Sequence, residues 1–376
     1  MTRLLRKLMP RGGQVDPAFA LTVGLTIVAS ILALWICTAF AGASVTQVLS
    51  TMIEGALGRR NAVLATFAEF APIALCGLGV LIPYRAGFFN IGTQGQLEVG
   101  ALAAITVVLT LGGSPWVTLP LAFLAACAAG MAASVIPIVL KLRRGASEVT
   151  TTIMLNFTCV LLVYAMITGP LKDPSAFYGA TPPVPAPFRL AAVPAGGPHL
   201  GVWIALAALL VFEVILNRTV FGTQVRAVGY NRQAALLAGV RVDRVTILAV
   251  VGGAAMAGLA GSIQVLGVTY RVAETWSKGW GFTGISVALL GGGPVGVLIV
   301  SAIFAILETG ARSMQALTGV PAALVYLLQG IPVLVYLAVR SSRLGARKAA
   351  PVETGSGSEG SSSQARAGGC RMEGAE

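Results

Sequence analysis

The chain reads as long apolar runs divided by short clusters of charge, glycine and proline. Residues 18–40 and 245–268 carry no charge, and each run exceeds the ~20 residues an α-helix needs to cross a bilayer. Ten spans are predicted on this pattern. The first is 18–40, and the second lies between Glu69 and Arg85 and is short. The third enters through 84–100 and continues to about 111. Gly112, Gly113, Ser114 and Pro115 then give a turn signal, and a fourth span runs to 140. The fifth covers 148–168, the sixth 200–216 and the seventh 245–268. The charge-free stretch 281–307 is interrupted by Gly291-Gly292-Gly293-Pro294. A proline after three glycines does not sit inside a straight lipid-facing helix, so the stretch divides into a short eighth span and a longer ninth. The tenth is 321–339, with Pro332 as a kink.

Composition agrees. Hydrophobic residues make up 56% of the 376 and charged residues only 11%, against roughly 25% charged in ordinary globular proteins. The expected fold is an all-α polytopic membrane protein. A short N-terminal segment (1–17) precedes a transmembrane domain (18–340), and a Gly/Ser-rich tail (341–376) is expected to be disordered. Basic residues before the first span and Ala39-Phe40-Ala41 mimic a cleaved leader, but the run of 18–40 is longer than the ~7–15 residues of a leader's apolar core and is read as a retained span.

Charge sets the orientation. With both termini inside, nineteen of the 26 Lys and Arg fall in inside segments and seven outside, as the positive-inside rule requires. That rule also accounts for the net charge of +12, so nucleic acid is not an expected partner. The five cysteines lack metal-like spacing and read as buried thiols. Residues 169–199 hold eight prolines and no hydrophobic period, which predicts an extended loop outside the membrane.

Two stretches carry candidate chemistry. Between Ala86 and Leu140 the one charged residue is Glu98. Asn90, Gln94 and Glu98 are spaced i, i+4, i+8, so on a helix they form one polar stripe, either lining a solute or ion path or bonding neighbouring helices. Gly87, Gly92 and Gly95 predict an entry to this helix that is bent or unwound. Asn156 and the Thr150–152 cluster are read as interhelical contacts or further path lining. Spans two and eight are both short and followed by glycine-rich breaks, a pairing that points to an internal repeat with a site near the midplane.

The second stretch is the arginine-rich loop 217–244. Within it Asn231 is a candidate N-cap, Ala234 and Ala235 are helix formers and Gly239 is a stop. The resulting helix is too short to stand alone and is expected to dock on a partner, either a protein or anionic membrane lipid. No phosphate-binding loop of the G-x-x-x-x-G-K-[ST] type occurs. The lone histidine, His199, sits at a loop–span junction, and no nucleophile–base pair stands out. A transport role is expected rather than an enzymatic one.

Four ordered motifs extend this reading. Residues 87–96, GFFNIGTQGQ, resemble the G-x-x-N-I-G-x-x-G-Q stretch of bacterial ABC-importer permeases serving ribose, branched-chain amino acids and nucleosides. Residues 148–156, EVTTTIMLN, resemble the family's E-V-x-x-T-I-M-L-N segment. In the loop from 222 to 240, Gly229, Asn231, Ala234, Ala235 and Gly239 match its cytoplasmic coupling segment, where Arg232 also lies. Residues 284–291, GISVALLG, match a fourth piece, although Gly292-Gly293 stand where an Asn is common. The wording of 86–96 is most similar to the nucleoside or simple-sugar branch.

The resemblance implies an ABC importer permease fold with some broken helices. It implies a second permease subunit, identical or paralogous, and an extracytoplasmic solute-binding lipoprotein. It also implies separate cytoplasmic ATPase subunits, with ATP used there and no cofactor held by this chain. The implied location is the bacterial inner membrane. Asn90, Gln94, Glu98 and Asn156 become candidates for the solute path. Three other readings remain: an ion-coupled secondary transporter using Glu98, a branched-chain amino acid permease of the same family, and a non-transporting membrane scaffold.

Overall fold

A computed structural model describes residues 44–318 together with Tyr326, Gln329, Gly330, Ile331 and Leu334. The expected first span, most of the tenth, the C-terminal tail, Cys37 and Cys370 lie outside the described residues. Within them the chain is helical, with no strands beyond two isolated bridges. Seven helices are long and apolar enough to cross a membrane, and one shorter apolar helix accompanies them. These match the expected spans two to nine.

In chain order the helices are α1 (Val45–Ile53), α2 (Arg60–Arg85), α3 (Thr93–Leu111), α4 (Pro115–Arg144), α5 (Glu148–Thr168) and α6 (Leu200–Arg218). They continue with α7 (Val220–Tyr230), α8 (Arg232–Leu237), α9 (Val242–Gln264), α10 (Trp280–Gly291) and α11 (Pro294–Thr318). Local signals set several ends. Ser44 caps α1 by accepting from Gln47 N at 3.2 Å. Helix α4 stops at Gly145, which is left-handed at φ 65°, with Gly145 N on Lys141 O and Ala146 N on Leu140 O. Lys141, Arg143 and Arg144 in its last turn complement the helix dipole.

Helix α9 is the axis of the bundle and packs against α2, α3 and α4. Its sequence allows this because one side is built of Gly253, Ala254, Ala257, Gly258 and Gly261. A Cβ at Gly258 would lie 2.1 Å from Ala126 O, and one at Gly261 would lie 2.1 Å from Leu97 O. Small residues let membrane helices approach at backbone distance where water-driven burial is absent. Helices α2 and α9 are enclosed, whereas α4, α5 and α6 turn large side chains outward, among them Leu124, Phe157 and Leu210.

Three expectations change. Span two is not short: α2 begins at Arg60 and takes Glu69 into its buried interior. A charge there marks an intramembrane partner, not a helix end. The pairing of two short spans therefore fails, although both breaks, 86–92 and Gly292-Gly293, are present. The segment 217–244 holds two helices, because α7 precedes the expected short one. Finally, the proline-rich loop is not simply extended. Thr181 N donates to Val272 O (2.9 Å), Val184 N to Tyr270 O (2.7 Å) and Leu190 N to Leu266 O (2.9 Å). These bonds lay the loop along the α9–α10 connection, with Arg189 4.5 Å over the Tyr270 ring. Within that loop Asp173 accepts from Ser175 Oγ and N, which holds its carboxyl below the usual carboxylate range.

Candidate functional site

The break between α2 and α3 is bent and unwound, as its glycines predict. Gly87 adopts φ 78°, and Phe88 N turns back to Pro83 O at 3.0 Å. Irregular backbone at membrane depth must find its bonds inside the protein, and α5 provides them. Thr152 Oγ1 accepts from Ile91 N (3.2 Å). Asn156 Nδ2 donates to Ile91 O (2.7 Å), and its Oδ1 accepts from Gly95 N (2.8 Å). Asn90 is not on the helix, so the expected three-residue stripe loses its first member. Its Oδ1 accepts from Gly92 N (2.9 Å) and its Nδ2 donates to Gln96 Oε1 (3.1 Å). Asn90 and Asn156 thus hold the break in shape.

Gln94 and Glu98 do share one face of α3, with Gln94 Nε2 donating to Glu98 Oε1 at 3.0 Å. They line a cavity of about 310 Å³ together with Tyr164, Trp276, Ser277 and Phe282. Trp276 Nε1 donates to Glu98 Oε2 (2.6 Å), Gln94 Nε2 reaches Ser277 Oγ (2.7 Å), and Gly281 N donates to Gln94 Oε1 (3.0 Å). The glycine at 281 is required, since a Cβ there would sit 2.4 Å from Gln94 Cα. Helix α10 has 12 residues, roughly 18 Å at 1.5 Å each, and its far end meets Arg85 Nη2 through Gly292 O at 2.6 Å. It therefore covers about half of a ~30 Å hydrocarbon core. The Gln94–Glu98 cavity lies at the start of α10, against the second half of α5.

A second buried carboxylate stands nearby. Glu69 accepts from Lys278 Nζ (2.7 Å), from Trp280 Nε1 (2.7 Å) and from the Arg312 guanidinium. Sequence reading took Glu69 as a span boundary and gave Arg312 no role. The signal that identifies them is spatial, because the bonds join residues more than 200 positions apart. Trp276, Ser277 and Trp280 were missed as well, since nothing in a loop sequence says that it dips into the bundle.

At the opposite end of the bundle, α7 and α8 form the arginine-rich surface. Asn231 caps α8, its Oδ1 accepting from Gln233 N and Ala234 N, both at 3.0 Å. Gly239 is left-handed at φ 81°, and Ala235 is buried against the bundle. Arg232 pairs with Asp243 at 2.6 Å. Gly229 lies against the α2–α3 break so closely that a Cβ would be 2.1 Å from Arg85 O. The surface formed by α7 and α8 is thus seated directly on the unwound segment.

Residues 62–337 match the family model described as branched-chain amino acid transport system / permease component. The chain belongs to this permease family. Among its relatives, the guanosine ABC transporter permease protein NupP of Bacillus subtilis (strain 168) is 34% identical over 323 residues, 85% of this chain and 91% of that one. The glucose ABC transporter permease protein TsgB13 of Haloferax volcanii is 35% identical over 279 residues, 70% of this chain and 72% of that one. The nucleoside ABC transporter permease protein NupB of Lactococcus lactis subsp. cremoris is 29% identical over 297 residues, 76% of this chain and 81% of that one. The permease is thus a multi-pass membrane transport component.

Proposed function

We propose that this permease forms the membrane path of an ATP-driven importer for a nucleoside or simple sugar. The observation that carries the reading is the cavity beside the first turns of α3, with Gln94 and Glu98 on one wall and Tyr164, Trp276 and Phe282 around them. Such a pocket offers apolar ring faces and a few convergent polar groups, the usual make-up of a small-molecule site. Glu98 accepts from Gln94 on one oxygen and from Trp276 on the other, and a carboxylate has lone pairs left for a solute hydroxyl or N–H. The relatives named for guanosine, nucleoside and glucose support that solute class. Asn90 and Asn156 serve the path by fixing the break.

In this reading the arginine-rich end faces the cytoplasm of a bacterial inner membrane, with both termini inside. Separate ATPase subunits dock on α7 and α8 and hydrolyse the ATP, and this chain binds no cofactor. An extracytoplasmic binding protein delivers the solute at the proline-loop end, and a second permease subunit completes the path.

The test is uptake by proteoliposomes holding the permease with its ATPase subunits and binding protein, using labelled guanosine and glucose. ATP-dependent accumulation of one of them, lost without the binding protein, is the expected result. Uptake by this chain alone under a proton gradient would instead establish an ion-coupled transporter. The Glu98→Gln variant is expected to lower uptake about tenfold, the loss of one charge-assisted hydrogen bond. Full uptake with an unchanged solute range would reduce Glu98 to a brace between helices.

A further inference from the structure

We propose that Glu69, which does not line the cavity, positions it by holding the α9–α10 connection closed over Gln94 and Glu98. The inference rests on the reading of that cavity as part of the solute path.

The connection and the first residue of α10 carry two indoles four positions apart, and each donates to a different buried carboxylate. Trp276 Nε1 meets Glu98 Oε2 on α3 at 2.6 Å, and Trp280 Nε1 meets Glu69 Oε2 on α2 at 2.7 Å. The two rings are 5.9 Å apart. Between them Lys278 reaches Glu69 Oε1 at 2.7 Å, and Arg312 of α11 closes on the same oxygen. Trp276, Ser277 and Gly279 line the cavity, so the bonds to Glu69 fix where part of its wall stands.

Two further observations mark this segment as held rather than relaxed. Among the described residues, the non-glycine positions with positive φ are Tyr270 (55°) and Thr275 (57°), and both lie in it. Such conformations persist where the surroundings over-determine them, and they concentrate at clamps and switches. The ion cluster is also asymmetric. Glu69 is 3% exposed, whereas the Lys278 and Arg312 side chains are 36% and 43% exposed. The cations have water within reach when they let go, and the carboxylate does not. A cluster built only for stability gains little over apolar packing at such a place. One built to release a segment needs this arrangement.

Glu69 is therefore a positioning residue for the transport site, and its contacts with Trp280 and Lys278 form a clasp. The reporter is Ser277→Cys in the full complex with ATPase subunits and binding protein. It is treated with a membrane-impermeant maleimide from the proline-loop side, and its labelling is read above that of the parent chain. Adding Glu69→Gln is expected to raise the labelling rate roughly tenfold, the ratio that corresponds to one lost charge-assisted contact. It is also expected to raise the KM for solute and the solute-independent ATP hydrolysis. Lys278→Gln on top of Glu69→Gln is expected to add nothing, because both act on one contact. Trp280→Phe keeps an aromatic ring there and removes the N–H together with the smaller ring of the indole, so it carries the same test if Glu69→Gln fails to assemble. Unchanged labelling and an unchanged KM in an assembled variant overturn the clasp. Uptake that survives full modification of Ser277→Cys overturns the path reading itself, whatever Glu69 does.

Discussion

A permease carrying Asn231→Pro or Gly239→Pro is expected to insert at normal levels and to import nothing. Helix α8 has six residues, far below the ~12–15 at which an isolated helix becomes even marginally stable. It depends on its ends. Asn231 donates its N–H to Ala227 O at 3.1 Å and accepts two bonds on its side chain. Its φ of −156° is one that proline cannot adopt. Losing such a cap costs ~0.5–2 kcal/mol, and the lost backbone bond adds to it. Gly239 at φ 81° is equally closed to proline. The Arg232–Asp243 pair does not rescue the helix, because both side chains are more than half exposed and such pairs contribute ~0–1 kcal/mol. The bundle does not share this loss, since only Ala235 of α8 is buried. What disappears is the surface of Leu236, Leu237 and Tyr230, all exposed, on which the ATPase subunits are proposed to sit. Uptake and solute-stimulated ATP hydrolysis, measured on the same proteoliposomes, check this. Normal stimulated hydrolysis in the proline variants would refute the coupling role.

The second large effect is on folding. Gly258→Leu is expected to leave little permease in the membrane fraction, because α4 and Gly100 of α3 both meet α9 at that residue. A Cβ alone would stand 2.1 Å from Ala126 O and 3.4 Å from Gly130 Cα. Those neighbours are backbone and cannot rotate away. Overpacking by added methylenes already costs ~1–3 kcal/mol where side chains can yield, and here a backbone must move. The change belongs with the rare substitutions above ~4 kcal/mol. Gly252, where an added Cβ meets nothing within 4 Å, is the control: Gly252→Ala is expected to leave expression and thermal stability in detergent close to the parent. Equal recovery of Gly258→Leu and the parent would contradict the packing described for α9.

The apolar runs made the described spans legible, because bilayer thickness acts on the sequence as a local length rule. The α8 helix was legible for a similar reason: Asn231 and Gly239 are local cap chemistry. The polar stripe was half legible. Counting i, i+4, i+8 assumed that the helix starts before Gly92, whereas it starts at Thr93, so Gln94 and Glu98 pair while Asn90 bonds within the break. Glu69 was misread for a deeper reason. A charge inside an apolar run looks like a boundary until its partners are known, and Lys278, Trp280 and Arg312 arrive from distant segments of the chain. The dip of the α9–α10 connection was invisible on the same ground. Its tryptophans declare themselves only by the carboxylates they meet.

We propose that the permease takes its driving force through its arginine-rich surface, on the inner side of the membrane. The most direct measurement is the sidedness of Arg232→Cys toward an impermeant thiol reagent, with and without the ATPase subunits. Modification in inside-out vesicles, slowed when the ATPase subunits are bound, and none in intact cells is the expected result. Modification from outside intact cells would contradict it.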